Sequence, residues 1–328
     1  MESKFKVFAG SSHKKFTEQI CKYLDIPLGK SETIRFSNEN LMPKIGENVR
    51  GCDVFVIQTQ TPPVSDHIIE LLAMVRALRD ASASRITAVL PYFFYPRSDK
   101  KDQPRIPITA KLIADFIQTA GANRVLTMDL HSAQIQGFFD IPVDQLSAKP
   151  VICHYLKQQC LENSEAVAAD VGEAKGIGGF ANILNLPIAI VDKRREGNDE
   201  KAKPVNLVGE VRGKRAIIFD DEITTAVTLV EAAQFLIEKH GATEVWAAVT
   251  HPVLSGKAIA KLKEADFITK VIVTDTIPLP PEKQLPKIIQ LTVTHLFAEA
   301  IRRIHEEHEE HSVTELLDFG KYREIFRL

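Results

Sequence analysis

The sequence predicts an α/β protein with two tandem domains, each built on a mainly parallel sheet flanked by helices. Short apolar runs alternate with amphipathic helical stretches along the whole chain, which is typical of crossover connections between parallel strands. The chain has 328 residues, of which 45% are apolar, and this length exceeds that of most single domains. Two sheets of similar pattern therefore fit better than one very wide sheet.

The alternation of elements begins near the N-terminus. Strands are predicted at residues 6–8, 53–59, 85–90 and 124–128, and helices at residues 13–24, 65–80 and 109–119. In the helix at 65–80, apolar residues recur every three or four positions and define one buried face. Gly121 is expected to end the third helix.

The same alternation of strands and helices resumes after Ser147. The predicted domains are therefore residues 1–147 and 148–328, and the second includes the C-terminal tail. Its predicted helices lie at 150–158 and 225–240, and its predicted strands at 166–169, 188–191, 215–219 and 244–249. The polar segment 196–203 (EGNDEKAK) predicts a surface loop.

Composition excludes several classes of partner. The 41 basic and 43 acidic residues give a net charge of −2, which argues against general nucleic-acid binding. No apolar run approaches the roughly 20 residues of a membrane span, and the first ten residues lack the apolar core of a secretory signal. Four scattered cysteines suit reduced thiols. A cytoplasmic protein without nucleic-acid or membrane partners is therefore expected.

The most informative segment is 215–228, RAIIFDDEITTAVT. An apolar strand ends in Asp220 and Asp221, and the hydroxyls of Thr224, Thr225 and Thr228 follow where a helix begins. Open α/β sheets bind ligands at the carboxyl ends of their strands, and a helix N-terminus attracts phosphate. Carboxylates suit the hydroxyl groups of a ribose. The alternative is a capped helix preceded by two exposed acids.

This segment resembles the ribose-phosphate loop of type I phosphoribosyltransferases, and further motifs narrow the resemblance to the ribose-phosphate pyrophosphokinase family. The motifs are RFSNEN (35–40), PYFFYPRSDKKD (91–102), MDLHSAQIQGFFDIPVD (128–144) and IVDKRR (190–195). The resemblance implies two phosphoribosyltransferase-like domains and an enzyme that transfers the diphosphoryl group of ATP to ribose 5-phosphate. The products would be phosphoribosyl pyrophosphate, a precursor in nucleotide biosynthesis, and AMP. Members of the family assemble as dimer-based homo-oligomers, often hexamers.

The resemblance also implies a binding site for ribose 5-phosphate. It assigns the ribose to Asp220 and Asp221 and the 5-phosphate to the loop that follows. It also implies that Arg195 contacts the 5-phosphate. The loop residues are Thr224, Thr225, Ala226, Val227 and Thr228. Family loops usually have glycine at the position of Val227, where the backbone approaches the phosphate closely. A β-branched residue there is expected to weaken sugar-phosphate affinity.

ATP is expected at two of the motifs. In 91–102, aromatic faces could flank a purine while cations meet a polyphosphate, although a basic turn over an apolar cluster explains the same residues. The resemblance assigns ATP to this segment, to the 35–40 segment and to a histidine. The assigned residues are Phe36, Asn38, Glu39, Asn40, Arg97, Ser98, Asp99, Lys100 and His131. Many members have Asp and Glu in place of Asn38 and Asn40, so nucleotide preference stays open.

Metal and catalytic residues follow the ends of predicted strands. Asp129, His131 and Asp170 offer oxygen and imidazole ligands without a thiolate, which favours Mg²⁺ or Mn²⁺ over zinc. The resemblance makes His131 and Asp170 the metal-site residues, supported by Asp129. Three adjacent cations at 193–195 are typical of a solvated turn, but the resemblance assigns Lys193 and Arg195 to the transferring group.

Two alternative functions remain open at this stage. A phosphoribosyltransferase would consume phosphoribosyl pyrophosphate, but it has no use for a second α/β unit or for the Arg97 segment. A non-catalytic regulatory relative is favoured mildly by Val227, and the presence of Lys193, Arg195, His131 and Asp170 argues against it. Gly176 stands where relatives usually have a cation. Near the C-terminus, His305, His308 and His311 are expected on a solvated helix face rather than at a metal, and the apolar residues of the tail at 314–328 predict that it docks.

Overall fold

A computed structural model of the chain describes residues 5–170, 172, 174–194, 203–306 and 312–328. The chain forms two compact units. Unit 1 comprises the residues up to Ser147 together with 276–278 and 293–328, and unit 2 comprises 148–275 and 279–292. Arg195 and residues 196–202 of the predicted loop lie outside the described residues, as do His308 and His311.

The N-terminal part of unit 1 contains seven strands and three α-helices among its described residues. They are β1 (Phe5–Ala9), α1 (Lys14–Tyr23), β2 (Ser31–Arg35), β3 (Leu41–Ile45), β4 (Asp53–Ile57), α2 (Val64–Asp80), β5 (Arg85–Leu90), α3 (Thr109–Ala120), β6 (Arg124–Met128) and β7 (Val143–Leu146). Five strands form a parallel sheet in the order β1-β4-β5-β6-β7, and β2 and β3 form a separate antiparallel hairpin. Every residue of β4 is buried, as expected of a central parallel strand covered on both faces.

Unit 2 contains the next group of elements. They are α4 (Lys149–Lys157), β8 (Ser164–Ala168), α5 (Ala174–Leu184), β9 (Ile188–Arg194), β10 (Lys203–Val208), β11 (Arg215–Glu222), α6 (Val227–Glu238), β12 (Glu244–His251), α7 (Ala258–Glu264), β13 (Ile268–Thr274) and β14 (Ile288–Leu291). The sheet order is β10-β9-β8-β11-β12-β13-β14, parallel except for the antiparallel β10–β9 pair. The predicted α/β class with two mainly parallel sheets is confirmed.

The two sheets repeat one topology. In each unit the first strand pairs with the strand that follows a hairpin, and the remaining strands are added in chain order on the same side. By this correspondence β1 matches β8, β4 matches β11, and the β2–β3 hairpin matches β9–β10. The turn after β4 in unit 1 is therefore the counterpart of the turn after β11 in unit 2, and the acidic pair lies in the last residues of β11.

The C-terminal segment packs on unit 1, whereas the sequence placed it with the second domain. Its helices are α8 (Thr294–Glu306) and α9 (Phe319–Phe326). The Phe297 ring of α8 meets the Phe16 ring of α1 edge-on, with centroids 5.4 Å apart, and both side chains are fully buried. The amphipathic face of α8 indicates burial without specifying the partner surface, so a division at one point of the sequence could not include this return of the chain.

Two expectations for the C-terminal segment have different outcomes. The predicted docking of the tail is confirmed, because Leu316 and Tyr322 are buried. The solvated position expected for His305 is wrong: its Nδ1 lies 2.9 Å from Asp53 Oδ2 and its ring stacks on Phe5. The described residues include no helix with the length and apolarity needed to cross a membrane, and all four cysteines are thiols.

Candidate functional site

The turn after β11 joins the acidic pair to the start of α6. Asp220 lies opposite Val249 of β12, and the Asp221 backbone N–H donates to Asp220 Oδ1 at 2.8 Å. Both carboxylates are partly exposed. They therefore lie at the carboxyl edge of the sheet, where the sequence placed them and where ligands of such sheets bind.

The helix begins two residues later than predicted, at Val227, and the turn before it has a special conformation. Ala226 is the N-cap residue, with φ of 59° and ψ of 7°, and no side chain caps this end of the helix. The first intrahelical hydrogen bond runs from Val230 N–H to Ala226 O at 3.0 Å. The N–H groups of residues 227–229 thus have no acceptor within the helix, which is the arrangement that binds phosphate. The hydroxyl-bearing Thr225 and Thr228 are exposed beside them.

The turn is fixed by backbone hydrogen bonds to the segment that follows β12. Ile223 N–H donates to His251 O at 3.0 Å, and Ser255 N–H donates to Thr224 O at 2.8 Å. Leu254 N–H donates to Ile223 O at 2.9 Å. These bonds hold the turn in place before any ligand binds, which lowers the entropic cost of binding.

Val227, the first residue of α6, lines a groove of about 210 Å³ with Val230, Lys261 and Phe267, residues of α6 and of the α7–β13 region. The residue in the left-handed conformation, which favours glycine, is instead Ala226, and its methyl group is buried. The expectation that a β-branched residue at Val227 weakens sugar-phosphate affinity therefore stays a prediction.

The end of β8 and the start of α5 form a second region of unit 2 that contains a predicted site residue. Asp170 follows β8, and a Cβ added to Gly172 would lie 3.0 Å from Asp170 Oδ1. Further along α5, the Phe180 ring stacks on Phe219 with centroids 4.4 Å apart, and the Lys149 ammonium lies 5.6 Å from the Phe180 centroid. Sequence reasoning missed Lys149, because only the fold brings it to this helix.

Of the predicted catalytic pair, Lys193 lies near the end of β9 and its backbone pairs with Pro204 of β10. Arg195 lies outside the described residues. The register of β9 and β10 thus places Lys193 at the end of a strand neighbouring β8, the strand that leads to Asp170.

In unit 1, the tip of the β2–β3 hairpin presents the predicted adenine-binding residues. Phe36 N–H donates to Asn40 O, and Glu39 N–H donates to Phe36 O, both at 2.9 Å. Asn38 Oδ1 accepts from the Asn40 backbone N–H at 3.2 Å. The Phe36 ring is 45% exposed. The tip is therefore a fixed turn with an aromatic face available for stacking.

The segment 91–102 divides into a buried and an exposed part. Tyr92, Phe93 and Phe94 belong to the core of unit 1, so they are not available to flank a purine. Arg97 and Lys100 are exposed, and Asp99 is half-buried. The polar part of this segment remains the candidate for polyphosphate.

Ser98 in the same segment has a structural role. Its Oγ accepts from Thr109 N–H at 3.2 Å, and its backbone carbonyl accepts from Ala110 N–H at 3.1 Å. Ser98 therefore holds the start of α3 against the segment, and through it the position of the neighbouring Arg97.

The candidate metal ligands of unit 1 follow β6. Asp129 has a φ of 34°, and its N–H donates to Leu146 O at 3.0 Å. His131 is exposed, while Leu130 between them is buried. Within the described ranges, no three or more His, Cys, Asp and Glu side chains group closely enough to hold a metal.

Comparisons with known proteins give the family. Residues 5–121 match the N-terminal domain of ribose phosphate pyrophosphokinase, and residues 196–317 match the phosphoribosyl synthetase-associated domain. A ribose-phosphate pyrophosphokinase of Caldanaerobacter subterraneus is 49% identical over 92% of this chain and 95% of its own length. The chain belongs to the ribose-phosphate pyrophosphokinase family. Membership confirms the resemblance read from the motifs and the predicted enzyme class, a transferase of diphosphate groups.

Two other relatives support the same assignment. A ribose-phosphate pyrophosphokinase of Synechococcus elongatus is 46% identical over 93% of this chain and 92% of its own. The crystal structure of phosphoribosylpyrophosphate synthetase from Mycobacterium smegmatis has a TM-score of 0.88 and 37% identity, and it covers 93% of this chain and 100% of that one. The agreement in fold therefore extends over both units.

Proposed function

We propose that this chain transfers the diphosphoryl group of ATP to the anomeric hydroxyl of ribose 5-phosphate, giving phosphoribosyl pyrophosphate and AMP. The observation that carries the proposal is the turn after β11, where two carboxylates precede an uncapped helix N-terminus. Relatives named ribose-phosphate pyrophosphokinase over nearly their full length support it.

Unit 2 binds the acceptor in this proposal. The hydroxyls of ribose donate to Asp220 and Asp221, and the 5-phosphate accepts from the N–H groups at the start of α6 and from Thr225 and Thr228. In this proposal the Val227 side chain leaves the phosphate unobstructed, which is supported by the place of Val227 among the residues that line the groove with Phe267. The chain can therefore hold a sugar phosphate without a glycine at that position.

Unit 1 contributes groups for ATP. The exposed Phe36 ring stacks on the adenine, and the amides of Asn38 and Asn40 are placed at the same hairpin tip. Arg97 and Lys100 meet the polyphosphate. Since Asn38 Oδ1 already accepts from the backbone N–H of Asn40, its amide NH₂ is the group that reads the base.

Asp129, His131 and Asp170 are the residues proposed to hold Mg²⁺, with Mn²⁺ as an alternative. Oxygen donors and one imidazole suit a hard cation, and Mg²⁺ usually takes only one or two protein carboxylates and completes its shell with water and phosphate. This agrees with the finding that the described residues form no closed cluster of protein ligands. The ion, when bound, neutralises phosphate charge.

The chemistry requires positioning and electrostatic stabilisation rather than covalent help from the protein. The anomeric oxygen forms a bond to the β-phosphorus and loses its proton, while the bond from that phosphorus to the α-phosphate oxygen breaks and AMP leaves. Lys193 and Arg195 neutralise the negative charge that develops on the β-phosphate oxygens and on AMP. The proposal also includes a homo-oligomeric, dimer-based assembly and a cytoplasmic location.

The test is AMP release from ATP and ribose 5-phosphate with each substrate omitted in turn and no nucleobase present. Lys193→Ala is expected to lower turnover by roughly 10²–10³, as for the loss of a charge-stabilising donor, while the matched control Arg194→Ala retains most of the activity. A folded wild-type chain that releases no AMP yet binds ribose 5-phosphate in calorimetry would instead support the non-catalytic alternative. Consumption of phosphoribosyl pyrophosphate only when a nucleobase is added would support a phosphoribosyltransferase.

A further inference from the structure

Unit 1 contains a cavity of about 550 Å³, lined by both polar and apolar groups, that the proposed reaction does not use. It lies between the end of β1, the start of α1 and the base of the β2–β3 hairpin. None of its lining residues is among those assigned to ATP, ribose 5-phosphate or metal. Its volume is in the range of small-molecule sites, which is roughly 300–1,000 Å³.

The position of the cavity has a counterpart in unit 2. There the corresponding elements are the end of β8, the start of α5 and the β9–β10 pair. Those elements carry Asp170, Lys175 and Lys193. In unit 1 they carry Lys14 on α1, Lys30 just before β2 and Lys44 on β3. The corresponding elements of the two units thus both carry lysines in the sequence.

The floor of the cavity is organised by the carboxylate of Glu70, which is buried. It accepts hydrogen bonds from the N–H and Oγ of Ser11, from Thr33 Oγ1 and from Gln58 Nε2. Burial raises the pKa of Glu70, but these hydrogen bonds outweigh it and hold the pKa below its ordinary value. Because the Ser11 and Thr33 hydroxyls give their hydrogens to Glu70, the oxygen lone pairs that remain are acceptors for hydroxyl or amino groups of a ligand.

The rim of the cavity is cationic. Lys14, Lys30 and Lys44 are exposed. Among the described residues, Lys44 forms a salt bridge with Glu32 at 3.1 Å, while the ammonium groups of Lys14 and Lys30 form none. The second lining carboxylate, Glu70, already has four donors. Neither the Lys14 nor the Lys30 ammonium has a salt-bridge partner among the described residues, although Lys30 also interacts electrostatically with the Glu47 carboxylate.

We propose that this cavity binds a small sugar phosphate, either as such or as part of a nucleotide. The ligand's hydroxyl groups donate to Ser11 and Thr33, and its phosphate is bound by Lys14 and Lys30. This inference concerns a site separate from the one that carries the proposed reaction, so each can fail without the other.

The experiment is protection of lysines from acetylation, measured by mass spectrometry on the intact full-length chain. Ribose 5-phosphate and inorganic phosphate are the probes, and Lys15, on the same helix but outside the cavity, is the internal control. We expect ribose 5-phosphate to slow acetylation of Lys14 and Lys30 but not of Lys15. Inorganic phosphate is expected to require a higher concentration, because it lacks the hydroxyl groups.

Two variants sharpen the measurement. The measured quantity is the ribose 5-phosphate concentration that gives half-maximal protection of Lys30. Lys14→Gln should raise this concentration by roughly tenfold and Ser11→Ala should raise it by about fivefold. The control variant Lys15→Gln should leave this concentration unchanged. Lys14 is exposed, so its replacement should not alter folding, and the thermal midpoint checks this. Absence of protection at Lys14 and Lys30, or equal protection by both probes, overturns the proposal.

Discussion

Replacing Val227 by glycine tests whether the side chain at this position limits phosphate binding. In the structure the Val227 side chain lies in the groove with Val230 and Phe267. Its backbone N–H is at the start of α6, and the strained residue is Ala226. We therefore expect Val227→Gly to change the dissociation constant for ribose 5-phosphate by less than about threefold, because a tenfold change needs ~1.4 kcal/mol of new interaction.

The same substitution should weaken the fold. Full burial of a valine side chain contributes about 1.5–3 kcal/mol, and Val227 is half-buried, so its loss costs about 1 kcal/mol. Replacing valine by glycine within a helix costs roughly a few tenths of a kcal/mol more, because glycine has the lower helix propensity. The sum corresponds to a fall in thermal midpoint of about 2–4 °C for a unit of this size.

Isothermal titration with ribose 5-phosphate and differential scanning calorimetry measure the two effects. Val230→Ala is the matched control, because Val230 lines the same groove one turn further from the phosphate site. It should lower the midpoint similarly and leave affinity unchanged. A gain in affinity of about tenfold or more in Val227→Gly alone would show that the valine does obstruct the phosphate.

Three further predictions concern other named contacts. Ala226→Val forces a β-branched residue into the left-handed region at a cost of roughly 1–3 kcal/mol, so the unfolding midpoint in urea should fall and ribose 5-phosphate binding should weaken. Glu70 has a lowered pKa, so its contribution to stability is present above the ordinary value of 4.5 and is lost as the pH falls through the lower folded value. Urea titrations from pH 7 to pH 3 should therefore show a flatter pH dependence in Thr33→Val, and an unchanged slope would contradict this. Tyr322 is 2% exposed, and its hydroxyl lies 3.1 Å from His295 Nε2. Tyr322→Ala should lower the free energy of unfolding by about 3 kcal/mol, whereas Tyr322→Phe should lower it by only about 1 kcal/mol. Equal losses would show that packing does not dominate.

Continuous apolar strands could be predicted from the sequence, and the reason is physical. A strand such as DVFVI in β4 is buried on both faces, so its apolar run is unbroken and the signal is strong. The β2–β3 hairpin was missed because it forms a separate two-stranded sheet with exposed residues and Pro43 in the second strand. Its polar residues gave no alternation of apolar and polar positions to detect.

Motifs predicted the site residues, but they did not predict the backbone conformations of those residues. The positive φ of Ala226 depends on where α6 begins, and the sequence marks a helix start only within a few residues. The aromatic run at 92–94 was ambiguous for a related reason. A ligand-facing ring and a core ring have the same sequence signature, and only the packing of this turn into unit 1 shows that these rings are core.

The turn after β1 in unit 1 and the turn after β11 in unit 2 differ in the backbone donors that they leave for an anion. After β4 in unit 1, the counterpart of the acidic turn, the side chain of Gln58 accepts from the Ser12 N–H and lies so close to Gly10 that an added Cβ would be 2.3 Å from its Oε1. The Glu70 carboxylate likewise accepts a hydrogen bond from the Ser11 N–H. Protein side chains thus take the backbone donors of Ser11 and Ser12 beside the cavity, whereas at the start of α6 no side chain does so. A phosphate in that cavity is therefore expected to be held by lysine side chains instead of these backbone groups, which is the distinction that the acetylation and titration experiments can detect.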